Sequence, residues 1–218
     1  MAKKQKKPWE TKRVMDQVYD MKLWGGKEYD FFSGTGSHDS KITDPYIEAL
    51  KAFFKTKEPL IVCDLGCGDF NIGKHLVTSV KKYIAIDIVE KLIDRNKKIF
   101  QESNLEFDCL DISKDKLPLA DCLIIRQVLQ HLSNAEILKI TKKIEAYKYV
   151  ILTEHLPTEN FIPNKDIISG QGIRLKQNSG VNLLEAPFNL KIKNVTELDD
   201  YITDNKKGHI VTTVYQLF

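Results

Sequence analysis

The sequence predicts an α/β fold, a parallel sheet with helices on both faces. Three observations carry that expectation. Short apolar runs recur through residues 58–155, helical stretches separate them, and the connections between them are short. Parallel neighbours need crossovers, and strands buried on both faces read as nearly continuous apolar runs.

Residues 1–57 read as a basic tail followed by a helical cap. Pro8 suits a first helical turn leading into WETKRVMDQVYDMK. A Gly/Ser-rich break covers 24–41, and Asp44-Pro45 is expected to open a second helix with Tyr46, Ile47, Leu50, Phe53 and Phe54 at helical spacing. Residues 58–218 form the main domain. Its strands are LIVCDL, KYIAID, LEFDCLD, CLIIR and YVILTE, and its helices are NIGKHLVTSV, VEKLIDRNKKIF and NAEILKITKKIEAY. Residues 156–193 hold no period and carry Pro, Asn, Gly and Ser, the mark of a lid or substrate loop. HIVTTVYQLF, β-branched and aromatic, reads as the last strand. Right-handed crossovers set the strand carboxyl ends along one rim, where ligands of such sheets bind.

Composition narrows the class. With 42% hydrophobic and 29% charged residues in 218, the chain is globular rather than disordered or fibrous. No apolar run is long enough to span a membrane, and no apolar stretch follows the N-terminal lysines, so a cytoplasmic protein is expected. Of 33 basic and 30 acidic residues, six and one lie within 1–13, which leaves 27 against 29. The positive charge therefore belongs to the tail, as a solvated terminus or a contact for nucleic acid or anionic lipid. Cys63, Cys67, Cys109 and Cys122 sit in or beside apolar runs, which fits free thiols in a reducing compartment. No second Cys/His pair completes a zinc site.

The most informative stretch is IVCDLGCGDFNIGKHL. Gly66 and Gly68, with Cys67 between them, follow a strand and allow close approach of backbone to ligand. A dinucleotide would lay its pyrophosphate there, but Asn71 stands where a third glycine is wanted, and Asp64 and Asp69 would repel it. A sulfonium nucleoside has no phosphate. Its ammonium suits Asp64, and its carboxylate suits the backbone N–H groups of the turn. Asp87 ends the second strand 23 residues after Asp64, the spacing for ribose hydroxyls, with Ile88 beside it. Asp111 ends the third strand, where it could accept from an adenine amino group, with Ile112 against the ring. Each acid also reads as a helix cap or turn residue.

These motifs resemble the class I S-adenosylmethionine-dependent methyltransferases. The resemblance covers about 58–155 through DLGCG (64–68), AID (85–87), CLD (109–111) and ADCLIIRQVLQHLS (120–133). SGTGS (33–37), CGDF (67–70), NKDIISG (164–170) and NLLEAPF (182–188) are similar to a bacterial subgroup and extend the likeness over nearly the whole chain. It implies a Rossmann-like sheet of seven strands in order 3-2-1-4-5-7-6 with the last strand antiparallel, and S-adenosyl-L-methionine as cofactor. The family's Asn/Asp-Pro-Pro-aromatic motif for amino substrates is absent, which argues against DNA-adenine and glutamine methylation.

A hydroxyl acceptor needs a base. His131 after the fourth strand and His155 at the end of the fifth, beside Glu154, are the candidates; each also reads as a packed or capping residue. Asn164, Asp166 and Arg174 could bind a polar acceptor or simply make the loop polar. Arg126 could hold the cofactor carboxylate, an anionic substrate or a surface salt bridge. Trp24, Ser33, Gly34, Gly36 and Ser37 could cover the pocket. No metal is required by any spacing. The expected reaction is O-methylation of a small-molecule or glycan acceptor by a monomer or homodimer. Methylation of RNA or protein through the lysine tail is less favoured, and a non-catalytic cofactor-binding subunit is the third reading.

Overall fold

The computed structural model describes residues 8–204 and 208–218. Lys3, Lys4, Lys6 and Lys7, and the tail contacts expected of them, lie outside the described residues.

The strands are β1 (Ile61–Leu65), β2 (Lys82–Asp87), β3 (Leu105–Cys109), β4 (Cys122–Arg126), β5 (Tyr149–Leu156), β6 (Asn194–Ile202) and β7 (His209–Gln216). They form one seven-stranded sheet in the order β3-β2-β1-β4-β5-β7-β6. β7 runs antiparallel to β5 and β6, and the other pairs are parallel. Alternation along the strands feeds two cores. Cys63, Leu65, Ile84, Ile86, Leu123 and Ile125 face α4 (Asn134–Ile144). Val62, Tyr83, Ala85, Cys122 and Ile124 face α2 (Ser40–Lys55). Thus α2, grouped with the cap by its sequence, buries Tyr46, Ile47, Leu50 and Phe54 against the sheet. β6 was not located from the sequence, because its run of acids hides the β pattern.

Three local expectations change. α1 spans Thr11–Asp20, so Pro8 stands outside its first turn. α2 begins at Ser40, where Asp39 caps it by accepting from the Lys41 N–H at 3.0 Å, and Pro45 lies inside rather than at its start. Pro45 removes only the N–H that would reach back toward Lys41, one turn in. NIGKHLVTSV is not an α-helix but two single 3₁₀ turns, Gly73–His75 and Val77–Ser79. Phe70, in the left-handed region at φ 63°, drives its ring against Gly73 and into Tyr83, Phe100 and Phe107. Glycine and the β-branched pair Val77-Thr78 give little helical preference to set against that packing.

α3 (Glu90–Ile99) follows β2 and buries Leu92 and Ile93. α1 and its connector lie over the rim, where Met15, Tyr19, Trp24 and Phe31 pack on Ile88, Val89 and Leu92.

Candidate functional site

At the carboxyl ends of β1 to β4, beneath α1 and its connector, lies a cavity of about 630 Å³. Its walls include Asp64, Gly66, Cys67, Gly68, Asp87, Ile88, Asp111, Ile112, Arg126 and His131, and from the cap Trp24, Ser33, Gly34, Gly36 and Ser37. Glu154 and His155 are not in its walls.

Asp64 is buried, and one carboxylate oxygen accepts from the Tyr83 hydroxyl at 2.9 Å. Burial pushes its pKa up to about 7, with Asp87 adding to the rise and Tyr83 opposing it. Asp87 is also raised by burial, but two backbone donors hold it, Gly68 N–H at 3.1 Å and Val89 N–H at 3.0 Å. It is therefore a turn-tying residue as well as a wall of the cavity. Asp111 accepts from the Ser113 N–H and hydroxyl at 2.9 and 2.7 Å and pairs with Lys114 at 3.2 Å. Burial pulls its pKa up, but these partners outweigh it and lower the pKa.

The glycine turn is closed on itself. Gly66 and Cys67 N–H groups both donate to the Ile86 carbonyl at 2.8 Å, and Asp69 N–H donates to Ser33 Oγ at 2.8 Å. With Gly68 committed to Asp87, the expected cradle of free N–H groups for a ligand carboxylate does not form. Two glycines are obligatory here: Gly66 and Gly68 have φ of 84° and 56°, and a Cβ would strike Val128 and Ser33 Oγ respectively. Asp69 also ties the turn to the cap, accepting from Ser33 N–H at 3.0 Å and meeting His38 Nε2 at 2.6 Å.

His131 lines the cavity, its ring 5.2 Å from that of Trp24. Nδ1 lies 3.1 and 3.3 Å from the Gly170 and Gly172 carbonyls, so this nitrogen carries the proton. Burial pulls its pKa down to about 4, leaving Nε2 as an acceptor 3.4 Å from the Gln130 amide. His155 lies elsewhere. Side-chain alternation along β5 turns it toward Gly208, its Nε2 buried without a partner, and burial with nearby His209 lowers its pKa. Glu154 is buried, and burial raises its pKa to about 8, with Arg174 and the Leu129 and Gln130 backbone opposing the rise.

The loop polars are structural. Arg174 is 1% exposed and donates to the Lys165, Leu129, Gln130 and Leu132 carbonyls and to Asn134 Oδ1. Asn164 bonds the Asn182 and Ala186 backbone, and Asp166 accepts from the Asn134 N–H at 2.8 Å. They fasten the long loop to the fourth-strand rim, so that its 171–173 segment and Lys176 reach the cavity. Sequence reasoning missed Tyr83 and Glu136, and read Asp69 only as a charge that repels phosphate, not as the tie to Ser33 and His38. Glu136 is bonded by Ser133, Ser169 and Thr11, joining α4, loop and cap; the Ser-x-x-Glu capping box was its readable signal. Among the described residues no cluster of three or more His, Cys, Asp or Glu could hold a metal ion, and no helix is long and apolar enough to cross a membrane.

A seven-stranded sheet in this order, one strand reversed and a glycine turn after the first, is the class I methyltransferase architecture. Residues 62–147 match the family model described as a methyltransferase domain. The ribosomal protein L11 methyltransferase of Staphylococcus saprophyticus is 25% identical over 167 residues, covering 70% of this chain. The chain spans about half, 52%, of that relative. Among solved structures, the N-methyltransferase NodS of Bradyrhizobium japonicum WM9, in complex with S-adenosyl-L-homocysteine, superposes with TM-score 0.64 at 11% identity, over 93% of this chain and 98% of its own. Magnesium protoporphyrin IX methyltransferase of Synechocystis PCC 6803, with S-adenosylmethionine bound, gives 0.56 at 16% identity, over 96% and 99%.

Proposed function

We propose that the protein methylates a hydroxyl of a small polar acceptor, a sugar or other hydroxylated metabolite, using S-adenosylmethionine. The observation that carries this reading is the covered cavity, acidic along β1 to β3 and roofed by Tyr19 and Trp24. A roof tied to the rim supports a small acceptor over RNA or a folded protein, which need an open rim.

The donor set fits the cofactor. Asp64 faces its ammonium, Asp87 keeps lone pairs for ribose hydroxyls beyond its two backbone bonds, and Ile88 and Ile112 offer apolar walls to the adenine. Bound there, the cofactor supplies the activated methyl group. The chain's own work is to exclude water, orient the acceptor and take its proton. His131 replaces His155 as the candidate base, since it alone of the two lines the cavity. With a pKa near 4, its ring is neutral throughout the neutral range.

Release of S-adenosylhomocysteine should be followed with a panel of hydroxylated acceptors. His131→Asn is expected to lower kcat about 100-fold with cofactor affinity unchanged, and wild-type turnover should be flat in pH from about 6 upward. An unaltered kcat removes the base. One contact favours a second reading in that event. The Gln130 amide already meets Nε2, which suits an amine acceptor that needs no protein base.

A further inference from the structure

The amino-acid end of the cofactor is a zwitterion, and its carboxylate needs donors that the glycine turn cannot give. Gly66, Cys67, Gly68 and Asp69 N–H groups are all committed, to Ile86, Asp87 and Ser33. Another cation borders the same cavity. Arg126, at the end of β4, is half-buried, and among the described residues, which include every acid of the chain, no carboxylate lies within ion-pair distance of it. Asp64 and Asp199 act on it only through space, so the guanidinium is drawn from water with no direct ion pair, and an anionic ligand group relieves that cost.

The fork is already aimed. Nη2 donates to the Gly36 carbonyl at 2.7 Å, and Nη1 lies 3.1 Å from Gln127 Oε1 and 3.3 Å from Ser37 Oγ. The Tyr46 ring supports the guanidinium at 4.8 Å. Every one of these partners is neutral. Spacing points to the tail of the cofactor. β1 and β4 are adjacent, with Asp64 opposite Ile124, so Arg126 stands two residues further along. Strand separation and rise put the two backbone positions about 8 Å apart. By strand alternation the two side chains share one face of the sheet, and both border the cavity, so an α-amino acid group can lie between a carboxylate and a guanidinium there.

We propose that Arg126 is the carboxylate receptor of the cavity, and that with Asp64 it clamps the two ends of the cofactor's amino-acid group. This rests on the reading of the cavity as the S-adenosylmethionine site. The clamp makes the free amino acid tail, not the nucleoside, the part that Arg126 recognises.

Calorimetry with two ligands tests it: S-adenosylhomocysteine, and 5′-methylthioadenosine, which keeps the thionucleoside but lacks the amino-acid group. Arg126→Met is expected to weaken S-adenosylhomocysteine at least about tenfold while methylthioadenosine stays within about twofold, with Arg126→Lys in between. Retained methylthioadenosine binding also shows that the variant is folded. Equal losses for both ligands, or unchanged S-adenosylhomocysteine, overturn the assignment. Unchanged S-adenosylhomocysteine with a raised acceptor KM places the anion on the acceptor instead. A wild-type protein that binds neither nucleoside overturns the cofactor reading itself, and the receptor with it.

Discussion

Asp64→Asn is expected to stabilise the cofactor-free protein while weakening its cofactor site. Burial raises the carboxyl from 3.8 to about 7 in the folded chain. Between those values the folded state holds a proton that the unfolded state has lost, so stability falls as pH rises through the window. The penalty is about 2 kcal/mol at pH 5 and about 4 kcal/mol at pH 8, as a ceiling. Asparagine removes the ionisation, and its side-chain oxygen can still accept from Tyr83. Urea unfolding of both proteins at the two pH values, without cofactor, gives the comparison. The gain from substitution should be larger at pH 8 by about 2–3 kcal/mol, a difference in which packing effects cancel. S-adenosylhomocysteine affinity should drop at least about tenfold in the same variant, for loss of an ammonium partner. A gain equal at both pH values, or larger at pH 5, would refute the reasoning, because the cost would then not come from a buried charge.

Two further substitutions probe the frame of the site. Gly68→Ala must place a methyl group against Ser33 Oγ at a φ of 56°; a loss of about 1–3 kcal/mol in chemical unfolding is expected, with weaker S-adenosylhomocysteine binding by calorimetry. Arg174→Met removes a donor from the Leu129, Gln130, Leu132 and Lys165 carbonyls, of which Leu129 keeps the Leu132 N–H. That should cost about 3–5 kcal/mol and expose 156–193 to limited proteolysis, whereas resistance equal to wild type would show that the loop is held by its apolar contacts alone.

The sheet was legible because strands buried on both faces write their positions as uninterrupted apolar runs, and the glycine turn because Gly66 and Gly68 occupy conformations other residues avoid. Asp64, Asp87, Asp111 and His131 were legible as strand-end positions on one rim. The direction of a side chain was not. His155 ends β5 on that rim, yet the two-residue alternation of the strand turns it toward Gly208, and no local signal in LTEHLP fixes which face that is. The N–H groups of the turn looked free in the sequence because their acceptors, Ile86, Asp87 and Ser33, come from distant segments. Arg174 read as a loop charge for the same reason. Three of its acceptors are backbone atoms more than 40 positions away, which no side-chain pattern records.

The two 3₁₀ turns after β1 have a consequence for competition inside a cell. A full α-helix in that place would point its amino-terminal end at the turn and lend it about half a positive charge, the feature that draws phosphates. Three-residue turns sum almost no dipole, and the turn has spent its amides, so a polyphosphate finds none of the free backbone donors that a phosphate-binding turn supplies. On the reading of this cavity as the S-adenosylmethionine site, ATP is expected to compete poorly for it.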